Sequence, residues 1–438
     1  MSTKFFDVVV IGGGICGISS ARAIAKKYPQ MKIGLLEKET ALVRHQSNRN
    51  SQVLHAGMYY ETGSNRAKLC RPGYNLWVDF CKDRNINVWN TGKLICGVTA
   101  DDNPRLEELL RRAHTNGAPE CEIISQKEAQ KYAPRLNVAD PNAKMLWSPA
   151  TSTMNINKAN VEMEKDIRDL DNVTLLMGQG VKHVVSNNRS GVELHTIEGF
   201  HENFGLNYHF SAGTRIQAKA VINCAGNYSD KIAAKLGARL EYLNCLLKGY
   251  YCRTSLKNME GDFPIPLLYS IPPVGCNNAS LGSHTTIGND GTEYVKIGPG
   301  AFPAFWRENY GGMSRANLPE ILENIGAMAK MLSTENRKVF LEITLKQLAN
   351  QRIPGLALSI QDWFQFKGDE ATHFDWYKPC MSNFLFTKDG QFVHDFKFVT
   401  HENSVSMLNY NSPGWTCALA TGQHVADDLL PPILARQD

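Results

Sequence analysis

The chain has 438 residues, 43% apolar and 21% charged, enough to bury one large core or two and too hydrophobic for a disordered or low-complexity scaffold. Its 47 basic and 43 acidic residues leave a formal charge of +4 without any basic block, which argues against nucleic acid as a partner. Eleven cysteines include no Cys-x-x-Cys pair, so they read as reduced core residues and no metal site is assigned.

In chain order, Phe6 to Ile11 is a β-branched apolar run, as expected of a parallel strand covered on both faces. The apolar stretch Val8 to Ile18 is too short and too rich in glycine to cross a bilayer, and it lacks the basic flank and cleavage site of a signal peptide. No transit peptide is visible either. The expectation is an intracellular protein, cytoplasmic or peripheral to a membrane, with no transmembrane segment and no support for mitochondrial import.

Gly12, Gly14 and Gly17 form Gly-x-Gly-x-x-Gly and open a helix over Ile15 to Lys27 with Ile18, Ala21 and Ala25 on one face. A second short strand, Lys32 to Leu36, ends at Glu37, twenty residues beyond Gly17. Gly12 permits the tight turn, Gly14 lets backbone approach a pyrophosphate, and Gly17 lets helix and strand pack closely. The helix N-terminus offers N–H donors to phosphate, and Glu37 can accept hydrogen bonds from a ribose diol. An ADP-containing dinucleotide is expected here.

Further along, a surface helix is expected over Pro104 to Asn116, burying Leu106, Leu109, Leu110 and Ala113, and Ser125 with Glu128 caps a shorter one. A helix through Ala159, Met163, Ile167 and Leu170 precedes strands Val173 to Met177 and Val181 to Val185. Strand alternation follows from Val192 to Asn223. Leu318 to Leu332 reads as a helix that buries Ile321, Ile325, Met328 and Leu332. Asp389-Gly390 should join Phe384 to Thr387 with Gln391 to Phe398 as a hairpin.

NAD and FAD share this fold for their ADP halves, so the choice rests on two other segments. Val221 to Gly226 (VINCAG) reads as a later strand of the same sheet, bringing Ala225 and Gly226 close to the cofactor. The polar stretch Arg44 to Ser51 (RHQSNRNS) begins seven residues after Glu37, where flavoproteins of the amino-acid-oxidase type run along the pyrophosphate toward the isoalloxazine. FAD is therefore favoured.

NSQVLHAGMYY (Asn50 to Tyr60), RAKLC (Arg66 to Cys70), GKLI (Gly92 to Ile95), NCAGNYSD (Asn223 to Asp230), LKGYY (Leu247 to Tyr251) and LGSHTT (Leu281 to Thr286) resemble, in order and over most of the chain, the L-2-hydroxyglutarate dehydrogenases. Asn50-Ser51-Gln52, Ser152 to Asn155 and Asn411 to Gly414 look more like one branch of the malate:quinone oxidoreductases. The resemblance implies an α/β, overall α+β, architecture: a Rossmann-like FAD-binding domain with a discontinuous antiparallel-sheet substrate domain. The FAD-binding parts are placed at 1–90, 150–230 and 376–438, and the substrate parts at 91–149 and 231–375. The implied cofactor set adds Lys38, Arg44, His45, Ser47, Asn50, Ser51, Val181, Pro413, Gly414 and Thr416 to Gly12, Gly14, Gly17, Glu37, Ala225 and Gly226.

Oxidising a 2-hydroxy acid needs a base beside the flavin, and histidine suits that task near neutral pH. His55 is the first choice and His284 the second, with Lys248 a contact to flavin or substrate carboxylate; Tyr59 and Tyr60 either shape the pocket or pack the core. The run Asn409 to Thr421 is expected to set a helix N-terminus against the flavin. Both families usually carry an Arg-x-Gln segment near the C-terminus, whose arginine grips a substrate carboxylate. Here the stretch reads Pro379-Cys380-Met381-Ser382-Asn383-Phe384-Leu385. Lys248, Arg307 or Arg352 then has to hold the acid, or the substrate is not a dicarboxylate. The leading expectation is an FAD-dependent dehydrogenase of an L-2-hydroxy acid that passes electrons to a quinone or another acceptor. A malate:quinone oxidoreductase, an amino-acid or amine oxidase and a flavoprotein without turnover are the alternatives.

Overall fold

The structure, a computed structural model, describes residues 3–188, 190–198, 211–260, 266–271, 283–289, 293–312, 315–334, 337, 341, 345, 353 and 355–436. Its first strand, Thr3–Ile11, lies between two parallel partners, Ile33–Glu37 and Ser211–Asn223, and Val8, Val9 and Val10 are completely buried. That placement explains the unbroken apolar run, since both faces of the strand are covered. The sheet continues outward through Val173–Met177 on one side and Gly191–Glu198 with Gln179–Asn188 on the other. Ser404–Leu408 also runs parallel to Ser211–Asn223, so start, middle and end of the chain meet in one sheet.

The helices Ile15–Lys27 and Gly414–His424 pack against each other on one face of this sheet, sharing a core with Trp77, Met163 and Val405. The first helix sits tightly: a Cβ on Gly17 would lie 1.9 Å from the Gly12 carbonyl oxygen. On the opposite face Val9, Leu36 and Val221 pack with Leu194, Ile232 and Leu236.

A second eight-stranded sheet runs in the order Asp375–Thr387, Tyr242–Ser255, Glu293–Pro303, His284–Asn289, Leu267–Ser270, Lys93–Cys96, Lys144–Ser148, Glu122–Ser125. Its described pairings are antiparallel except for Leu267–Ser270 with Lys93–Cys96. A core around Leu94, Leu268, Val295, Trp363 and Phe364 supports it. The mixed α/β architecture with an antiparallel second layer is the expected fold class.

Several local expectations need correction. The helix Leu318–Leu332 forms, but it buries Asn324, Ala327 and Met331, and Leu322 and Ile325 face outward. The helix is turned from the expected face, and Asn324 on the buried side donates to the carbonyls of Phe305 and Glu320. The turn at Asp389-Gly390 closes with the Thr387 N–H donating to Gln391 and the Val393 N–H to Leu385. Beyond it no regular hairpin forms: Lys397–His401 pairs instead with Ser404–Leu408. Asp375–Thr387 hydrogen-bonds to Tyr242–Ser255 at the edge of the second sheet. Part of the alternating run (199–210), Leu281, Gly282 and Cys276 lie outside the described residues; the ten described cysteines are unpaired, all but Cys380 buried.

Candidate active site

A cavity of about 650 Å³ opens between these layers, within the range of about 300–1,000 Å³ usual for ligand pockets. One wall is the glycine turn. Gly12 and Gly14 line it, and Gly17 lies behind, in the helix–strand contact. The Ile15 N–H donates to Ser47 Oγ at 2.9 Å, tying the polar segment to the helix N-terminus. Glu37, at the carboxyl end of its strand, accepts from the backbone N–H groups of Gly13 (2.7 Å) and Glu39 (2.8 Å). Lys38, Arg44, His45, Asn50 and Ser51 line the same wall, and Val181, Ala225 and Gly226 face them. Pro413, Gly414 and Thr416 bring in the start of the Gly414–His424 helix. Every residue proposed from sequence for the cofactor therefore reaches this cavity except Gly17, whose role is packing.

The charges near Glu39 are satisfied locally. Its carboxylate meets Lys38, His45 and Arg315, and Glu308 meets Lys38 and Arg315. Burial raises both acids, but Lys38, His45 and Arg315 more than offset it, holding Glu39 far below the usual carboxylate range and Glu308 at about 2. Glu39, His45 and Glu308 place ligand atoms within 4.8 Å of one another, yet the two cations already balance them, so this is an ion-pair cluster rather than a metal centre.

The far wall comes from the second sheet. Leu247, Gly249 and Tyr251 line the cavity from Tyr242–Ser255, joined by Tyr269, His284 and Ser382. Side chains alternate along a strand, so Lys248 falls between lining residues and does not reach the cavity; its ammonium lies 5.0 Å from the Tyr250 ring. That removes Lys248 from the catalytic set. Arg307 lines the cavity, but its guanidinium is engaged by both Asp230 oxygens at 2.8 Å and by the Asn227 carbonyl. It is not available to grip a substrate acid. Arg352 lies outside the described residues.

His55 and His284 do converge on the cavity. The His55 N–H donates to Thr416 Oγ1 at 3.2 Å, Cys70 Sγ donates to the His55 carbonyl, and its Nδ1 has no hydrogen-bond partner among the described residues. Burial, then Lys93, then His284 push its pKa well below the ordinary imidazole value, so the ring is neutral. His284 stacks on Tyr269 with ring centroids 4.0 Å apart. Tyr59 and Tyr60 are core residues, packed with Cys70 and Leu267 rather than lining the cavity.

The DAO family, described as FAD dependent oxidoreductase, matches residues 7–428. The chain belongs to the DAO family of FAD-dependent oxidoreductases. It is 30% identical to human mitochondrial L-2-hydroxyglutarate dehydrogenase over 98% of this chain and 89% of that one. It is 28% identical to the L-2-hydroxyglutarate dehydrogenase of Escherichia coli K12 over 96% and 92%. Among solved structures, FAD-bound L-alpha-glycerophosphate oxidase from Mycoplasma pneumoniae superposes with a TM-score of 0.69 at 18% identity, covering 98% of this chain and 95% of that one. As in the rest of the DAO family, the cofactor is FAD. The residues present suit it: the glycine turn has no side chain to obstruct a pyrophosphate, Glu37 is placed for a ribose, and the Gly414–His424 N-terminus faces the cavity. Sequence reasoning missed Tyr251, Tyr269 and Ser382, all of which line the cavity; Tyr251 stands in the LKGYY segment and Ser382 in the stretch Pro379 to Leu385, both singled out from sequence, whereas Tyr269 has no such motif around it. No helix among the described residues is long and apolar enough to cross a membrane.

Proposed function

We propose that this flavoprotein oxidises an L-2-hydroxy acid, L-2-hydroxyglutarate first among them, to the 2-oxo acid, passing the electrons to a quinone or a comparable acceptor. Bound FAD supplies the acceptor for the α-hydrogen and its electron pair. The observation that carries the reading is His55: a neutral imidazole, buried in the cavity wall, with Nδ1 unpartnered. Such a ring can take the hydroxyl proton as the α-hydrogen leaves. Thr416 and Cys70 hold its backbone beside the cavity. His284, stacked on Tyr269, closes the wall beside it and adds to the pressure that keeps His55 neutral. The names of the relatives supply the substrate class.

The test is anaerobic bleaching of the yellow holoprotein by a panel of L-2-hydroxy acids, repeated with His55→Ala. The expected result is rapid bleaching by L-2-hydroxyglutarate in the parent, and retained flavin with lost bleaching in the variant. Bleaching by malate in preference redirects the substrate, and stoichiometric peroxide from an amino acid redirects the class to an oxidase. Silence toward the whole panel refutes the proposal.

A further inference from the structure

Three sulfur atoms meet behind the glycine turn. Cys16 stands in the first turn of the helix Ile15–Lys27, Cys224 directly follows the strand Ser211–Asn223, and Met407 lies in the strand Ser404–Leu408. The sheet sets their meeting. Asn223 is level with Ile11 on one side and with Ser406 on the other, and the Cys224 N–H donates to the Ile11 carbonyl at 2.8 Å. Cys224 and Met407 therefore leave neighbouring strands at the height where the turn delivers Cys16. Met407 Sδ accepts from Cys16 Sγ at 3.1 Å and from Cys224 Sγ at 3.7 Å. Cys16 is 9% exposed, Cys224 7% and Met407 1%, and all three line the cavity.

Two thiols and a thioether are soft donors, the set that favours Cu+, zinc and iron–sulfur clusters. Zinc requires a fourth ligand at a tetrahedral corner, and an iron–sulfur cluster requires more cysteines. The hydroxyls beside the sulfurs are weak ligands for either and are already engaged: Ser20 Oγ donates to the Cys16 carbonyl at 2.8 Å, and the Tyr410 hydroxyl is 2.7 Å from Thr421 Oγ1. Three sulfur ligands suit a monovalent soft ion. Charge leads to the same choice. Cu+ replaces one proton, Cys16–SH and Cu+ giving Cys16–S–Cu and H+, while the Cys224 thiol and the Met407 thioether add lone pairs. No electron changes hands, the site's charge stays as it was, and no uncompensated ion is buried. A divalent ion exchanged for that proton leaves an extra positive charge in a pocket of the hydrophobic core.

We propose that Cys16, Cys224 and Met407 form a binding site for a soft monovalent metal ion, Cu+ first among them, reached through the cofactor cavity. The ligands come from the start, the middle and the end of the chain, so an occupied site ties together the elements around the dinucleotide turn.

The experiment equilibrates holoprotein and flavin-stripped protein, reduced and free of oxygen, with Cu+ buffered by a chromogenic chelator, and counts the copper that stays on the protein. One Cu+ per chain is expected on at least one of the two forms, with a raised urea midpoint. Cys16→Ser and Cys224→Ser should each lose it. Met407→Leu, which nearly conserves volume, should weaken Cu+ by at least about tenfold, or 1.4 kcal/mol, and it decides alone if the serine variants do not fold. Retention of no Cu+ by either form overturns the site, as does retention that survives both serine replacements or is unchanged in Met407→Leu. Loss of copper in Cys380→Ser alone does the same, because Cys380 is the one described cysteine that is not buried and it also lines the cavity. Displacement of Cu+ by an equal concentration of Zn2+ overturns the selection for a monovalent ion.

Discussion

Two glycines of the dinucleotide turn should fail for different reasons when given a methyl group. A Cβ on Gly17 would stand 1.9 Å from the Gly12 carbonyl oxygen and 3.4 Å from Cys224 Cβ. Relief requires the helix Ile15–Lys27 to move outward by about 1.5 Å, and Ile18, Ala21 and Ile24, all completely buried, move with it. Overpacking of this kind costs roughly 1–3 kcal/mol or more. A Cβ on Gly14 would meet only Ser47 Oγ at 3.2 Å, the end of a side chain that can yield, but it would project into the cavity wall meant for the pyrophosphate. Gly17→Ala should therefore lower both the urea midpoint of the flavin-stripped protein and the flavin content. Gly14→Ala should leave the midpoint near that of the parent while weakening FAD at least about tenfold, or 1.4 kcal/mol. Unfolding curves and quenching of flavin fluorescence on rebinding measure the two quantities. A Gly17→Ala protein as stable as its parent, or a Gly14→Ala protein with parental affinity, would refute the assignment of roles.

Other predictions follow from the site. His55→Gln should keep FAD and lose about 10²–10⁴-fold in the rate of anaerobic flavin reduction by stopped flow; a rate within a few-fold of the parent removes His55 as the base. Asp230→Asn strips buried Arg307 of its charge partner and should cost about 3–5 kcal/mol in urea unfolding; a change below about 1 kcal/mol shows that Glu320 and Glu323 suffice. Lys248→Met, on the far side of its strand, should leave flavin reduction unchanged, and a large loss would restore the role that sequence alone assigned to it.

Legibility from sequence followed how local each determinant was. Gly12, Gly14, Gly17 and Glu37 act through a turn and two short elements, and the hydrogen bonds of Glu37 to Gly13 and Glu39 lie within that unit. Helix Asn103–Thr115 and the Ser125–Glu128 box were likewise visible, because caps and i,i+4 faces are written within one element. Lys248 failed because a strand has two faces, and which one meets the cavity depends on its pairing with Glu293–Pro303 and Asp375–Thr387, through Phe302 and Met381 far along the chain. The face of Leu318–Leu332 failed for the same reason, its orientation being set by contacts with the segment around Phe305. Tyr269 lies in a short strand with no motif around it and reaches the site only because Leu267–Ser270 pairs with both Lys93–Cys96 and His284–Asn289.

The distribution of charge along the cavity bears on what kind of acid fits. Lys38 and Arg315 are neutralised by Glu39 and Glu308, and Arg307 by Asp230, so these three cations are committed to the protein's own carboxylates. They orient the chain around the cofactor without competing for substrate. At the second sheet the lining is aromatic and aliphatic and His55 is neutral, while Lys93, outside the lining, stands behind Tyr269 with no ion pair among the described residues.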